Sequence, residues 1–114
     1  MSGRRAAAVA ALALLLYPTS AGSSGYVHRM GSCWVTGYAG WGTTASGRYT
    51  RTHHTVATDP YVIPMYSHVR VSGLGTYVAE DTGGAVRGCH IDVFVSSDTE
   101  AYALTGWRLV WWWR

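Results

Sequence analysis

From residue 33 onward the chain carries short runs rich in Val, Tyr, Trp, Thr and Ile, separated by turn-forming residues and glycines. Six such runs stand out, at 33–38, 53–57, 68–71, 76–79, 90–95 and 108–113. Runs of this length and composition suit a pleated, half-buried surface, so each is expected to form a strand. Six short strands at this spacing predict an all-β fold, a small closed or nearly closed barrel. One helix is expected near the C-terminus. Ser97-Asp98-Thr99-Glu100 has the S-x-x-E form of a capping box, residues 101–104 are mostly good helix formers, and Gly106 supplies a stop. Residues 22–32 begin rich in Gly and Ser and have no apolar period, which reads as a flexible lead-in. No internal repeat or second domain is legible, so 33–114 is expected to fold as one unit.

The first 21 residues follow a different pattern. Arg4 and Arg5 precede an unbroken apolar run at 6–16, then Pro18 and the small residues Thr19, Ser20 and Ala21. A charged start, an apolar centre and a small-x-small end are the marks of a secretory signal peptide, here 1–21 with cleavage after Ala21. A membrane anchor needs about 20 apolar residues, and this run of 11 is too short. The mature protein is therefore expected outside the cytoplasm, secreted to the cell wall or periplasm, without stable membrane insertion.

Composition changes the picture little. Of 114 residues, 48% are hydrophobic and 13% charged, enough apolar surface to exclude a disordered chain. The net charge of +3 comes from nine Arg and no Lys; without Arg4 and Arg5, seven Arg face six acids, which leaves +1. No basic stripe remains to track phosphates, and nucleic acid is not an expected partner. In an oxidising compartment Cys33 and Cys89 are expected to be bridged rather than free. Two cysteines cannot hold zinc alone, and none of the five His stands at ligand spacing with them, so no metal and no cofactor is expected.

The chemically informative stretch is Asp81-Thr82-Gly83-Gly84-Ala85-Val86-Arg87-Gly88-Cys89-His90-Ile91-Asp92-Val93-Phe94. It resembles the signature of the 3D domain family, named for three aspartates. Upstream, Thr36-Gly37-Tyr38, Thr44-Ala45-Ser46-Gly47, Asp59-Pro60 and Ile63-Pro64 are similar to the family's earlier motifs in their proper order. Gly106-Trp107-Arg108-Leu109-Val110 resembles its closing segment. Departures are Tyr66, where the family has Gly, Cys89 inside the signature, and the Trp111-Trp112-Trp113 run. The resemblance implies a six-stranded double-psi β-barrel related to the catalytic domain of membrane-bound lytic transglycosylase A and to resuscitation-type muralytic proteins. It further implies a monomer acting on peptidoglycan glycan strands, cleaving the β-1,4 bond between N-acetylmuramic acid and N-acetylglucosamine with a 1,6-anhydro product. By carry-over Asp92 is the acid/base, with Asp59 and Asp81 supporting it. Thr36 and Tyr38 would offer hydroxyls to substrate, beside the Thr82, Gly83 and Gly84 turn.

Residue parity adds an independent reading. In 90–95, Ile91, Val93 and Val95 form one row, suited to a barrel interior, and Asp92 falls on the other face, toward a groove. Cys33 lies three residues before Thr36 and Cys89 three before Asp92. If the two strands are parallel neighbours in that register, the cysteines meet away from Thr36 and Asp92 with Cα atoms closer than about 7 Å. Several carboxylates in one groove repel, and burial adds to this, so at least one pKa is expected to rise and equip that group as an acid. Taken singly, Asp59 before Pro and Asp81 before Thr-Gly-Gly read as turn formers. Asp92, an acid in an apolar strand, has no such structural account.

Other residues carry less. His53 and His54 would face opposite sides of a strand, a poor metal site, and His90 reads as a solvated strand histidine on the Asp92 face. Tyr38 and Trp41 are candidates for stacking on sugar rings. Trp111 and Trp113 are expected in the core, with Trp112 facing outward. The competing functional reading is a wall-binding or wall-loosening module without turnover, as in expansin-like double-psi barrels, since fold alone does not separate the two.

Overall fold

The computed structural model describes residues 25–114, so the expected signal peptide at 1–21 lies outside the described residues. Strands β1 (His28–Tyr38), β2 (Thr55–Ala57), β3 (His68–Val71), β4 (Gly75–Asp81), β5 (His90–Phe94) and β6 (Gly106–Trp113) close into a barrel in the order β1-β5-β2-β4-β3-β6. β1 runs parallel to β5 and β2 parallel to β4, while the other neighbours are antiparallel. Parallel neighbours need a crossover connection. Here the two crossovers overlap in sequence, and the result is the six-stranded double-psi barrel with one short helix. Among the described residues no helix is long and apolar enough to cross a membrane.

The barrel interior is built from alternate positions. Cys33 and Val35 of β1, Ile91 and Val93 of β5, Val69 and Val71 of β3, and Val110 of β6 are all buried in one core. Burying each Val or Ile is worth about 1.5–3 kcal/mol, and this row closes the sheet on itself. Helix α1 (Asp98–Leu104) starts at Ser97, whose side chain accepts from Glu100 N. The Glu100 carboxylate reaches back to Ser96 N and Oγ, one residue before the cap. Ala101 and Leu104 are the buried face of α1. A Cβ built on Gly37 of β1 would lie 2.7 Å from Ala101 Cα, so glycine permits this close approach.

Four expectations need correction. The segment 22–32 is not an unpaired lead-in throughout, because His28 to Ser32 already belong to β1 and pair with β6. The register shifts between Arg29 and Gly31, and Gly31 has φ 78°, a bulge that erases the alternation by which a strand is recognised. The second strand begins at Thr55, not residue 53, since His53 has φ 58° and a turn is closed by Thr55 N to Arg51 O at 3.0 Å. The C-terminal tryptophans are inverted: Trp112 shares the inward face with Val110 and is 9% exposed, whereas Trp111 and Trp113 are half-buried on the other face. Trp112 stacks on His28 at 3.9 Å and Trp113 on His68 at 5.5 Å. His90 is also not a free strand histidine, as described below.

Candidate functional site

The β-pairings draw a row of polar residues across the outside of the barrel. Thr36 on β1 is the partner of Asp92 on β5, Asp92 is the partner of Ala57 on β2, and Ala57 is the partner of Asp81 on β4. Asp92 and Asp81 thus stand two strands apart, about 10 Å between backbones, with only an alanine between. Asp81 reaches this row because β4 bulges: Val56 pairs with Ala79 and Ala57 with Asp81, so Glu80 is the extra residue.

Asp92 is half-buried, and its Oδ1 accepts from Thr36 Oγ1 at 2.8 Å. Burial pushes its carboxyl above the ordinary carboxylate range. The Thr36 hydrogen bond and the nearby His90 pull it down, and the charge of Asp81 pushes it up. The net direction is upward, the shift expected of at least one carboxyl in this group. Thr36 Oγ1 also lies 2.8 Å from His90 Nε2, and His90 Nδ1 lies 3.1 Å from the Ala85 carbonyl. The histidine is therefore fixed at both nitrogens, because Trp34-to-His90 pairing aligns it on the same face as Thr36 and the signature turn folds Ala85 over it.

Three donors converge on Asp81. Tyr38 Oη donates to Oδ2 at 3.0 Å, and the backbone N–H groups of Ala45 and Thr82 donate to Oδ1 at 2.9 Å each. Burial, and then the Asp81 charge, push the Tyr38 phenol far above its ordinary value, so it serves as a donor. The Tyr38 ring meets Phe94 edge-on at 5.4 Å, and Trp41 does the same at 5.0 Å while staying 61% exposed. Of the two stacking candidates, Trp41 presents an open ring and Tyr38 a committed hydroxyl.

Asp59 stands apart. Its Oδ1 accepts from Tyr61 N at 3.0 Å and its Oδ2 from Gly88 N at 2.8 Å. The first bond makes an Asx turn across Pro60, and the second ties it to the end of the signature loop. The same two backbone bonds hold its carboxyl below the usual range. The structure thus brings Asp81, Asp92, Thr36 and Tyr38 together and gives Asp59 the work of fixing the loop beside them. Thr82 joins through its N–H, while Gly83 and Gly84 form an exposed turn closed by Val86 N to Gly83 O at 3.0 Å. A Cβ on Gly83 would press Val86 at 3.1 Å.

Two contributors escaped the sequence reading because they are backbone groups, the Ala45 N–H and the Ala85 carbonyl. A third is Glu80, fully buried beside Asp81, with His54 Nε2 at 2.6 Å, Arg51 at 3.6 Å and Arg48 at 3.9 Å. An acid ending the apolar Tyr77-Val78-Ala79 run was its available signal. Tyr66 has φ 71°, and the Arg48 guanidinium lies 4.8 Å from its ring. Cys33 and Cys89 form a disulfide with Cα atoms 4.8 Å apart, on the inner side of the Thr36 and Asp92 pairing as register requires. Among the described residues no group of three or more metal-ligating side chains is gathered.

Comparison with known proteins adds three findings. The model of the 3D domain family matches residues 54–110, half of the chain. Over 46 residues, 40% of this chain and 16% of the other protein, the sequence is 54% identical to "Cell wall-binding protein YocH" of Bacillus subtilis. Over 47 residues, 41% of this chain and 12% of the other, it is 49% identical to "Putative cell wall shaping protein YabE" of the same organism. The chain thus spans less than a fifth of the length of these relatives. The crystal structure of MltA from E. coli is similar with a TM-score of 0.49 and 26% identity, over 63% of this chain and 27% of that one.

Proposed function

This chain belongs to the 3D domain family, and from that membership we propose that it acts on bacterial peptidoglycan outside the cytoplasm as a lytic transglycosylase. Asp92 is the acid/base. Its proton passes to the glycosidic oxygen between N-acetylmuramic acid and N-acetylglucosamine, and the C1–O bond breaks. The C6 hydroxyl of the muramic acid then attacks C1 while the Asp92 carboxylate takes the hydroxyl proton, leaving a 1,6-anhydro ring and restoring the acid. One residue serves both steps, unlike glycosidases that need two carboxylates at a set separation.

The observation that carries this reading is the half-buried Asp92 carboxyl, pushed upward by burial and held by Thr36 across the β1–β5 pairing. Asp81, anchored by Tyr38, Ala45 and Thr82, keeps a second acid near enough to oppose ionisation of the first. The Cys33–Cys89 disulfide supports an oxidising compartment. Relatives named for binding and shaping the cell wall support the substrate class, and the first of those names also favours a second reading, wall binding without turnover.

Digestion of purified sacculi, read by mass spectrometry, separates these outcomes. The wild-type chain is expected to release anhydro-muropeptides, and Asp92→Asn to reduce them by a factor of at least about 100, the usual contribution of a general acid/base. Reducing-end products would make it a hydrolase. Retention on sacculi with no soluble product, equal in wild type and Asp92→Asn, would leave the binding module.

A further inference from the structure

A threonine hydroxyl has one proton to give and two lone pairs. Thr36 Oγ1 is 2.8 Å from Asp92 Oδ1 and 2.8 Å from His90 Nε2, so it can donate to only one of them and must accept from the other. The Ala85 carbonyl can only accept, and at 3.1 Å it requires a proton on His90 Nδ1. The neutral tautomer protonated at Nε2 is thereby excluded, because its Nδ1 lone pair would face a carbonyl lone pair.

Two arrangements remain. In one, an imidazolium at His90 donates from Nε2 to Thr36, and Thr36 donates to an Asp92 carboxylate. In the other, an Asp92 carboxylic acid donates to Thr36, and Thr36 donates to Nε2 of a neutral His90. Both hold the same number of protons. We propose that Asp92, Thr36 and His90 form a two-way proton chain, in which one proton is shared between the Asp92 carboxyl and His90 Nε2 through the Thr36 hydroxyl. The interconversion balances: the Nε2–H bond breaks as a new Thr36 O–H forms, and the old Thr36 O–H breaks as Asp92 O–H forms.

The inference rests on reading Asp92 as the acid/base, and it gives His90 a role in that chemistry. When Asp92 gives up its proton, Thr36 turns its hydroxyl onto the new carboxylate, and Nε2 is left facing a threonine lone pair. When the Asp92 carboxylate regains its proton from the C6 hydroxyl, Thr36 turns its hydroxyl back to Nε2 and the starting arrangement is restored. His90 is a positioning residue that sets the protonation of Asp92 and touches no reacting atom. The other titratable groups at this site are Asp81 on β4 and Tyr38 on β1. The residues paired across from the chain, Ala57 opposite Asp92 and Trp34 opposite His90, are uncharged.

The test is an NMR titration of the full chain, following the His90 ring nitrogens and the Asp92 carboxyl carbon against pH. In the wild type Nδ1 should stay protonated throughout, and Nε2 and the carboxyl carbon should report the same two steps, the mark of coupled sites. Thr36→Val should reduce each group to a single step and move the Asp92 midpoint by about one pH unit or more. His90→Gln, which leaves the threonine in place, should make the Asp92 curve monophasic. Independent single steps in the wild type would overturn the proposal, as would curves that Thr36→Val leaves unmoved. None of these readings requires turnover. A failure of the sacculus assay therefore sinks the enzymatic reading without touching the chain, and the converse also holds.

Discussion

Asp59 and Asp92 are the same side chain in opposite surroundings. Asp59 accepts two backbone N–H bonds, from Gly88 and Tyr61, and these favour its ionised form. Asp92 is disfavoured as an anion by burial. Linkage gives the two positions opposite pH signatures. A carboxyl with a lowered folded pKa stabilises the protein above its unfolded pKa, and that stability is lost as pH falls through the folded value. A carboxyl with a raised folded pKa does the reverse, and its relative stability declines as pH rises through the folded value. Asp59→Asn should therefore lower the melting temperature at pH 7, with the difference shrinking below about pH 4. Asp92→Asn should raise it at pH 7, and that gain should also fade below about pH 4. Thermal melts of both variants from pH 3 to 8 decide this. Two variants destabilised alike at pH 7 would mean that Asp92 is held by its bonds and not strained by burial.

At the scale of elements, β1 carries the greatest constraint. It contributes Cys33 and Val35 to the core, Thr36 and Tyr38 to the polar row, and between them Gly37, against which α1 is packed. A methyl at Gly37 would meet Ala101 Cα at 2.7 Å and Cβ at 2.9 Å, and backbone cannot swing aside as a flexible side chain would. Gly37→Ala should cost about 1–3 kcal/mol by overpacking. Gly42→Ala, where nothing lies within 4 Å, should stay within about 0.5 kcal/mol of wild type. Urea denaturation measures both, and equal costs would mean that α1 yields without penalty. The same strand marks the limit of what sequence discloses. Parity fixed the faces of Val35, Thr36, Ile91 and Asp92, because one apolar row must be buried and a strand has only two sides. The first turn of β1 was hidden by the Gly31 bulge. The face of β6 was hidden because Leu109-Val110-Trp111-Trp112-Trp113 contains no polar residue to mark the outside. In the site, Asp92 and Thr36 were legible from pattern, but His90 needed coordinates, since its partners are a hydroxyl on the neighbouring strand, distant in sequence, and a carbonyl that any residue would present.

For the molecule as a whole, the weak point of closure is the β1–β5 seam. It is one of two parallel pairings in the barrel, and parallel ladders are slightly less stable per residue than antiparallel ones. It is also the seam that sets Thr36 against Asp92 and aligns Trp34 with His90. The Cys33–Cys89 bridge crosses this seam just before that register begins, and it joins segments 56 residues apart. On the loop-entropy model a link of that span removes about 4 kcal/mol of freedom from the unfolded chain, a large part of the stability of a domain this small. Replacing both cysteines with Ala should therefore lower the unfolding free energy by about 4 kcal/mol. Reductant added to the wild type should lower it by a similar amount. Because the Thr36–Asp92 bond and the backbone ladder remain, the variant that is still folded at low temperature should keep the coupled His90 titration. Loss of stability without loss of that coupling would mean that the bridge maintains the fold and the ladder maintains the register. A double variant as stable as wild type would mean instead that β6, which pairs with the other edge of β1 from His28 to Val35, holds the strand in place on its own.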